Sequence, residues 1–212
     1  IYNSVNTLLA ENLIINSEGI LSGGIQSSSN VNITIFDCLF AYVYTDESSS
    51  FSISRNIDLL IERCFFLFVI SNKGSMLSFE DNSDVEVNFL FVFSIISLES
   101  QGGIFFLNTG SNLKVEYSNF DAASSLYGGL IYVENGGFLL VSNCVLNDLD
   151  AKFDGGGFFI DQILQAQIYN ISCFKCGASS GGMIFVKTNE ENVIFKLENF
   201  NIIGASASKY GE

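Results

Sequence analysis

A self-similar unit of 26 or 27 residues, repeated along the whole chain, restricts this sequence to a solenoid or a closely related repeat architecture. The clearest copy is Ser125–Cys144: Gly-Gly, a short apolar run, Asn-Gly, a second apolar run, then cysteine. One column of turn residues keeps step throughout: Asn30, Asn56, Asn82, Asn108, Asn135, Gln162 and Asn189, spaced 26, 26, 26, 27, 27 and 27 residues apart. Ahead of these stand small-residue pairs at Gly23-Gly24, Ser49-Ser50, Gly74-Ser75, Gly102-Gly103, Gly128-Gly129, Gly155-Gly156 and Gly181-Gly182. Behind them runs a column of Cys or Phe: Cys38, Cys64, Phe89, Phe120, Cys144, Cys173 and Phe200. A partial eighth unit, Glu11–Asn16, matches Ser142–Asn147.

Within the unit the apolar residues alternate, as in Val31-Asn-Ile33-Thr-Ile35 and Leu113-Lys-Val115-Glu-Tyr117. That is the two-residue period of strands, and no segment shows a helical period. Identical features recur in every unit instead of in mirrored pairs, which disfavours hairpins and therefore an antiparallel barrel or sandwich. The pattern predicts an all-β fold: one right-handed parallel β-helix over residues 1–212, with about seven to eight coils of roughly 26 residues and three short strands each. At a strand spacing of ~4.8 Å the rod would be on the order of 35 Å long. Asn at the turn column tolerates left-handed backbone angles and can form a coil-to-coil amide ladder. The glycines make tight corners. Like stacks on like inside, so the Cys/Phe column reads as a buried ladder.

The recurring Gly-Gly-Ile/Leu/Met at Gly23–Ile25, Gly102–Ile104, Gly128–Leu130 and Gly181–Met183 resembles the GGA(I/L/V) motif of Pmp-like surface proteins. It is similar as well to the wider pectin-lyase-fold group of right-handed β-helices in bacteria and protists. The companion F-x-x-N motif does not recur with the repeat, standing at Phe79–Asn82 and Phe105–Asn108 alone; Phe120 and Phe200 follow Asn119 and Asn199 instead. The resemblance implies an extracellular or cell-surface protein with an adhesive or structural role.

Composition bears on partners. The 212 residues carry a net charge of −14, with no His, Pro or Trp. Two arginines, Arg55 and Arg63, and scattered lysines make no basic patch, which argues against nucleic acid and anionic membranes. The missing His removes the commonest general base and metal ligand together. The longest nearly unbroken apolar run, Phe89–Leu98, is too short for a spanning helix. The opening I-Y-N-S-V-N lacks the features of a signal peptide and an initiator Met, and the closing A-S-A-S-K-Y-G-E repeats the approach to a new coil at Ala122–Gly129. Both ends suggest a segment of a longer chain, or a protomer that stacks end to end.

Function classes are weighed on the remaining residues. Several strands are apolar at both alternating positions, around Phe106, Leu130, Tyr132, Phe159 and Phe185 in the first strand and Phe66, Phe68 and Phe91 in the third. Only one set can face inward, so these residues predict an apolar outer stripe that serves as an interface for end-to-end or lateral self-association. The competing expectation is a carbohydrate-binding or carbohydrate-active β-helix, with Phe106, Tyr132 and Phe185 stacking on sugars. A glycosidase needs paired carboxylates, and Asp58 with Asp84 and Glu62 with Glu86 lie about one coil apart, Arg63 being the nearby strong cation. Acids beside a strand are more often solvated than catalytic, so a non-enzymatic protein without metal or cofactor is expected. Two sequons, Asn32-Ile-Thr34 and Asn170-Ile-Ser172, are candidate N-glycosylation sites, expected to face outward. Cys173-x-x-Cys176 could close a local disulfide; a lone C-x-x-C without His is weak evidence for zinc.

Overall fold

The structure, a computed structural model, describes residues 7–11, 14–16, 25–27, 32–45, 49, 51–53, 57–72, 75–99, 101–188 and 193–210. Taken in groups of about one coil, its strands are β1 (Thr7–Glu11), β2 (Ile14–Asn16) and β3 (Ile25–Ser27); β4 (Asn32–Phe36), β5 (Leu39–Thr45) and β6 (Phe51–Ile53); β7 (Asp58–Glu62), β8 (Phe65–Ser71) and β9 (Leu77–Phe79). There follow β10 (Asp84–Asn88), β11 (Phe91–Ser97) and β12 (Phe105–Asn108); β13 (Asn112–Glu116) and β14 (Asn119–Tyr127). In β15 (Ile131–Asp154) and β16 (Phe158–Ser180) the corners no longer interrupt the ladder, and β17 (Ile184–Lys187), β18 (Ile194–Ile203) and β19 (Ser206–Tyr210) complete the order. The named strand pairings are all parallel, and each joins a strand to its counterpart one coil away. The fold is a parallel β-solenoid of about six turns, with no helix among the described residues. That is slightly fewer than the seven to eight coils expected, with the period of about 26 residues as expected.

Three walls enclose one apolar core. The first contains β6, β9, β12 and the starts of β15 and β16; the second contains β4, β7, β10 and β13; the third contains β5, β8, β11 and β14. Inward columns stack like on like, for example Ile33-Leu59-Val85-Leu113-Leu139 on the second wall. Fully buried aromatic rings such as Phe40 and Phe66 stack 4.5 Å apart between coils.

Corners are made by residues in the left-handed region, in four columns. Gly102, Gly128, Gly155 and Gly181 form one (φ 74°, 58°, 68° and 57°), and here the expected Gly-Gly corners are present. The second glycine of each pair has a different task. A Cβ on Gly129 would lie 2.1 Å from the Gly156 carbonyl oxygen of the next coil, so the walls could not close with a side chain there.

The other columns correct the expected register. Asn82, Asn135 and Gln162 have positive φ as predicted, but Asn108 ends β12 and the turn is made by Thr109 (φ 50°) and Gly110 (φ 73°). Asn30, Asn56 and Asn189 lie outside the described residues, as do Gly23, Gly24, Ser50 and Gly74. The coil-to-coil amide ladder occurs at a different corner: Asn199 Nδ2 donates to Asn170 Oδ1, and Asn170 Nδ2 donates to Asn143 Oδ1, both at 3.0 Å. These three residues continue the left-handed column Asp37, Arg63, Phe89 and Tyr117.

That column explains why the Cys/Phe ladder is misaligned in the sequence reading. Phe89 is a half-exposed corner residue and not part of the core. The coils that begin with β10 and β13 are offset by 28 residues (Asp84 pairs with Asn112), so a fixed 26–27 step drifts off register there. Cys144 pairs with Ile171, whereas Cys173 pairs with Leu146, the partner of Phe120. Cys38, Cys64, Phe120, Cys144 and Cys173 are all buried, but they fill two inward columns instead of one.

Candidate functional site

Two outer surfaces carry the side chains with functional potential. The first is a facet of the third wall, between two left-handed corners. Between these corners the unburied residues of β5, β8 and β11 are Leu39, Phe65, Leu67, Phe91 and Phe93, and the corners add Tyr42, Phe68, Phe89 and Tyr117. Seven of these are aromatic and 36–54 % exposed. They contact one another in pairs across coils: Tyr42–Phe68 (5.1 Å between ring centroids), Phe68–Phe93 (5.5 Å), Phe65–Phe91 (5.7 Å) and Phe89–Tyr117 (5.3 Å). The facet arises locally because a left-handed residue resets the alternation within each strand. Phe68 points out although Phe66 points in, and Phe66 is core, so its predicted interface role is corrected. Phe68 and Phe91 are exposed as expected.

The facet is bounded. In the next two coils Asn119 pairs with Phe91, and Asp121 and Asn147 take the column of Phe93; Asp148 occupies the corner column of Phe68. Burial and the neighbouring Asp148 push the carboxyl of Asp150, just beyond that corner, upward. At the other margin Arg63 Nε donates to Asp37 Oδ1 at 2.8 Å, and the guanidinium also meets Glu62.

The expected stripe on the first wall is different in kind. Phe106, Tyr132, Phe159 and Phe185 do stack outward, with centroids 5.6, 4.8 and 5.3 Å apart. Yet Tyr132 is 5 % and Phe159 6 % exposed, because the rings cover one another and Tyr127 packs edge-on against both. Burial, with Glu134 and Asp161 nearby, pushes the Tyr132 phenol up to about 12. Tyr132 and Phe159 thus have both ring faces occupied and offer no platform for a sugar, whereas Phe106 and Phe185 at the ends of the stack have one stacking partner each. Leu130 is fully buried and belongs to the core, which corrects its placement in the stripe.

The second surface is a groove of about 560 Å³ on the outside of the second wall, crossing β4, β7, β10 and β13. Asn32, Asp58, Asp84 and Asn112 form one outward column, with Thr34, Leu60, Glu86 and Lys114 beside it and Phe138 at one end. The groove therefore brings Asp58 and Asp84 into register on adjacent coils, as anticipated. It does not pair Glu62 with Glu86, since Glu62 aligns with Asn88 and Glu86 with Leu60. Its polar groups satisfy one another: Asn112 Nδ2 donates to Asp84 Oδ1 (2.6 Å), and Asn88 Nδ2 (2.9 Å) and Lys114 Nζ (3.0 Å) donate to Glu86 Oε1. Asn88 and then Lys114 hold the Glu86 carboxyl below its ordinary range, and Glu116 and Glu86 hold the Lys114 ammonium above its own. A general acid needs the opposite shift, so nothing here raises Glu86 toward neutrality.

The remaining predicted residues are dispersed. Asn32 is exposed on the groove rim, with Thr34 on the same face. Asn170 is exposed, but its Nδ2, the atom a glycan would take, is engaged in the amide ladder. Cys173 and Cys176 form a disulfide that bridges the left-handed corner at Lys175, while Cys38, Cys64 and Cys144 are buried thiols. Among the described residues no group of three or more His, Cys, Asp or Glu side chains could hold a metal. The doubly apolar stretches Leu39–Tyr44, Phe65–Ile70 and Phe89–Phe93 contain Tyr42, Phe65, Phe89 and Phe93 as well, but spacing does not separate them from the core, since buried Phe66 and Val92 share the 26-residue step of exposed Phe65 and Phe91; Tyr117 lies outside those stretches. No family model matches the chain, and neither a curated protein nor a solved structure does.

Proposed function

We propose that this chain is a non-enzymatic structural or adhesive β-solenoid of an extracellular or cell-surface assembly, in the manner of the Pmp-like proteins its Gly-Gly-Ile/Leu/Met repeats resemble. The observation that carries the reading is the cluster of seven half-exposed aromatic rings on the third wall. At ~150–250 Å² per aromatic side chain, exposures of 36–54 % leave roughly 650 Å² of ring surface in water. The largest apolar patch on an ordinary monomer is about 300–600 Å², and patches of this size rimmed by polar residues mark contact sites. Negative-stain electron microscopy and light scattering test the reading. Paired rods, filaments or a layer support it; a monodisperse rod at all concentrations that attaches to no surface refutes it.

A second reading, a carbohydrate-binding solenoid, is favoured by the groove on the second wall. Carboxylate and amide groups in register along it, beside Leu60 and Phe138, suit a neutral glycan chain running along the rod. Affinity electrophoresis through neutral polysaccharide gels, with Asp58→Ala as comparison, decides it; equal mobility of both proteins in every gel rules it out.

A further inference from the structure

The third-wall facet has the dimensions and the boundary of an interface between two copies of this chain. We propose that it is the contact of a two-fold homodimer in which the rods lie side by side and antiparallel, an inference that rests on the assembly reading above. Three observations lead there. The area is the first: roughly 650 Å² of exposed ring surface, with half-buried Leu39 and Leu67 added, approaches the ~800 Å² per partner of a standard interface. The composition is the second, since β5, β8 and β11 concentrate Phe and Leu and carry no charge between the corners, with Asp37 and Arg63 at one corner and Asp121 on the next rung, which is how interface centres differ from rims.

Charge placement is the third, and it selects the orientation. The aromatic rings occupy the N-terminal coils of the wall, whereas Asp121 and Asp148 occupy the same columns further along. A parallel pairing would bring the acidic coils that carry Asp121 and Asp148 level with one another on the two copies, and like charges brought together across a contact are unfavourable. An antiparallel two-fold lays rings on rings and carries the two acidic ends past each other, into solvent. The same patch is used on both copies, so the contact closes at two and does not propagate. Two sheet faces packed this way stand ~10 Å apart.

Sedimentation equilibrium of the 212-residue chain is expected to give twice the 23.2 kDa of one copy at micromolar concentration. The double substitution Phe65→Ser with Phe91→Ser is expected to weaken association at least tenfold, as central aromatic truncations do, with an unchanged far-ultraviolet circular dichroism spectrum. Orientation is read with a short bis-maleimide: Leu67→Cys, near the facet centre, should cross-link into dimers, and Asp121→Cys should not. The native thiols are buried and leave the background low. A monomer throughout the range overturns both this inference and self-association. Oligomers insensitive to the Phe65/Phe91 substitutions overturn the interface while leaving assembly intact. Cross-linking through Asp121→Cys as efficient as through Leu67→Cys overturns the antiparallel geometry.

Discussion

Replacing Gly129 by alanine separates the two roles of the repeated glycine pair. Gly128 supplies a left-handed backbone angle (φ 58°), but Gly129 has no such requirement and is glycine only because the next coil passes so close. An added Cβ would meet the Gly156 carbonyl oxygen at 2.1 Å and the Asp150 carbonyl oxygen at 3.0 Å. Backbone cannot rotate aside as a side chain can, so the two coils must part locally by roughly an ångström or more to restore van der Waals contact. That stretches the bonds from Gly129 N to Gly155 O (3.2 Å), Leu130 N to Gly157 O (2.9 Å) and Ile131 N to Gly157 O (3.0 Å). At about 1 kcal/mol per net hydrogen bond, the loss is ~2–4 kcal/mol. The stiffer unfolded chain offsets about 0.4–1 kcal/mol of it. A net cost of ~2–3 kcal/mol corresponds to a fall in Tm of about 5–10 °C for a chain of this length. Gly177→Ala is the control, because its Cβ would meet only the side-chain atoms Asp150 Oδ1 (3.1 Å) and Ser206 Oγ (3.3 Å). Thermal unfolding followed by circular dichroism provides the measurement. A Gly129→Ala protein that melts no lower than Gly177→Ala refutes the close-approach argument.

The other expectations concern buried cysteines and the amide ladder. Burial pushes the thiol of Cys144 from 9.0 up to about 12 and that of Cys64 up to about 11. The unfolded chain therefore releases those protons first as pH rises. No penalty exists below pH 9.0; between there and about 12, stability falls by about 1.4 kcal/mol per pH unit for a thiol that stays protonated in the fold. Melting at pH 8 and pH 10.5 should show a drop that Cys144→Ala reduces, and an equal drop in both proteins would show that other groups cause it. Reduction of the Cys173–Cys176 disulfide frees a short loop worth about 2 kcal/mol in the chain-entropy treatment, so added reductant should lower Tm by about 4–8 °C. Asn170→Ala removes two ladder bonds and places a Cβ-bearing residue without a polar side chain at φ 54°; a loss of about 1–2 kcal/mol in chemical denaturation is expected, with Asn170→Gly costing less. In a glycosylating host, intact mass should show a glycan that Asn32→Gln removes and Asn170→Gln does not, because only Asn170 has its Nδ2 committed to a neighbour.

Much of the fold was legible because a solenoid writes its geometry into the sequence once per coil. The parallel strands, the glycine corners and the apolar inward columns all follow from period and alternation, and each has a local cause in backbone sterics or strand pleat. The errors share a physical origin as well. One left-handed residue in the middle of an extended run reverses which side chains face in. Strict alternation therefore assigned Phe66 and Leu130 to the surface and treated Phe89 as core. The 28-residue offset at Asp84–Asn112 compounded this, since a count carried across it lands on the wrong column and makes Asn108 a turn residue.

What the sequence determined by itself is therefore the architecture: repeated Gly-Gly pairs and alternating apolar residues leave a chain of this period little but coils stacked in parallel. What only the tertiary structure decided is which aromatic residues meet water. Phe106, Tyr132, Phe159 and Phe185 look like an exposed stripe along the chain, yet stacking at 4.8–5.6 Å and the edge-on Tyr127 bury the middle of it. Tyr42, Phe65, Phe68, Phe89, Phe91, Phe93 and Tyr117 are brought to one facet by corners that carry no fixed residue type: Tyr, Phe, Arg, Asn and Asp all occupy them. Exposure depends on what the next coil and the next corner place beside a ring, and that neighbour is about 26 residues away in sequence and ~4.8 Å away in space.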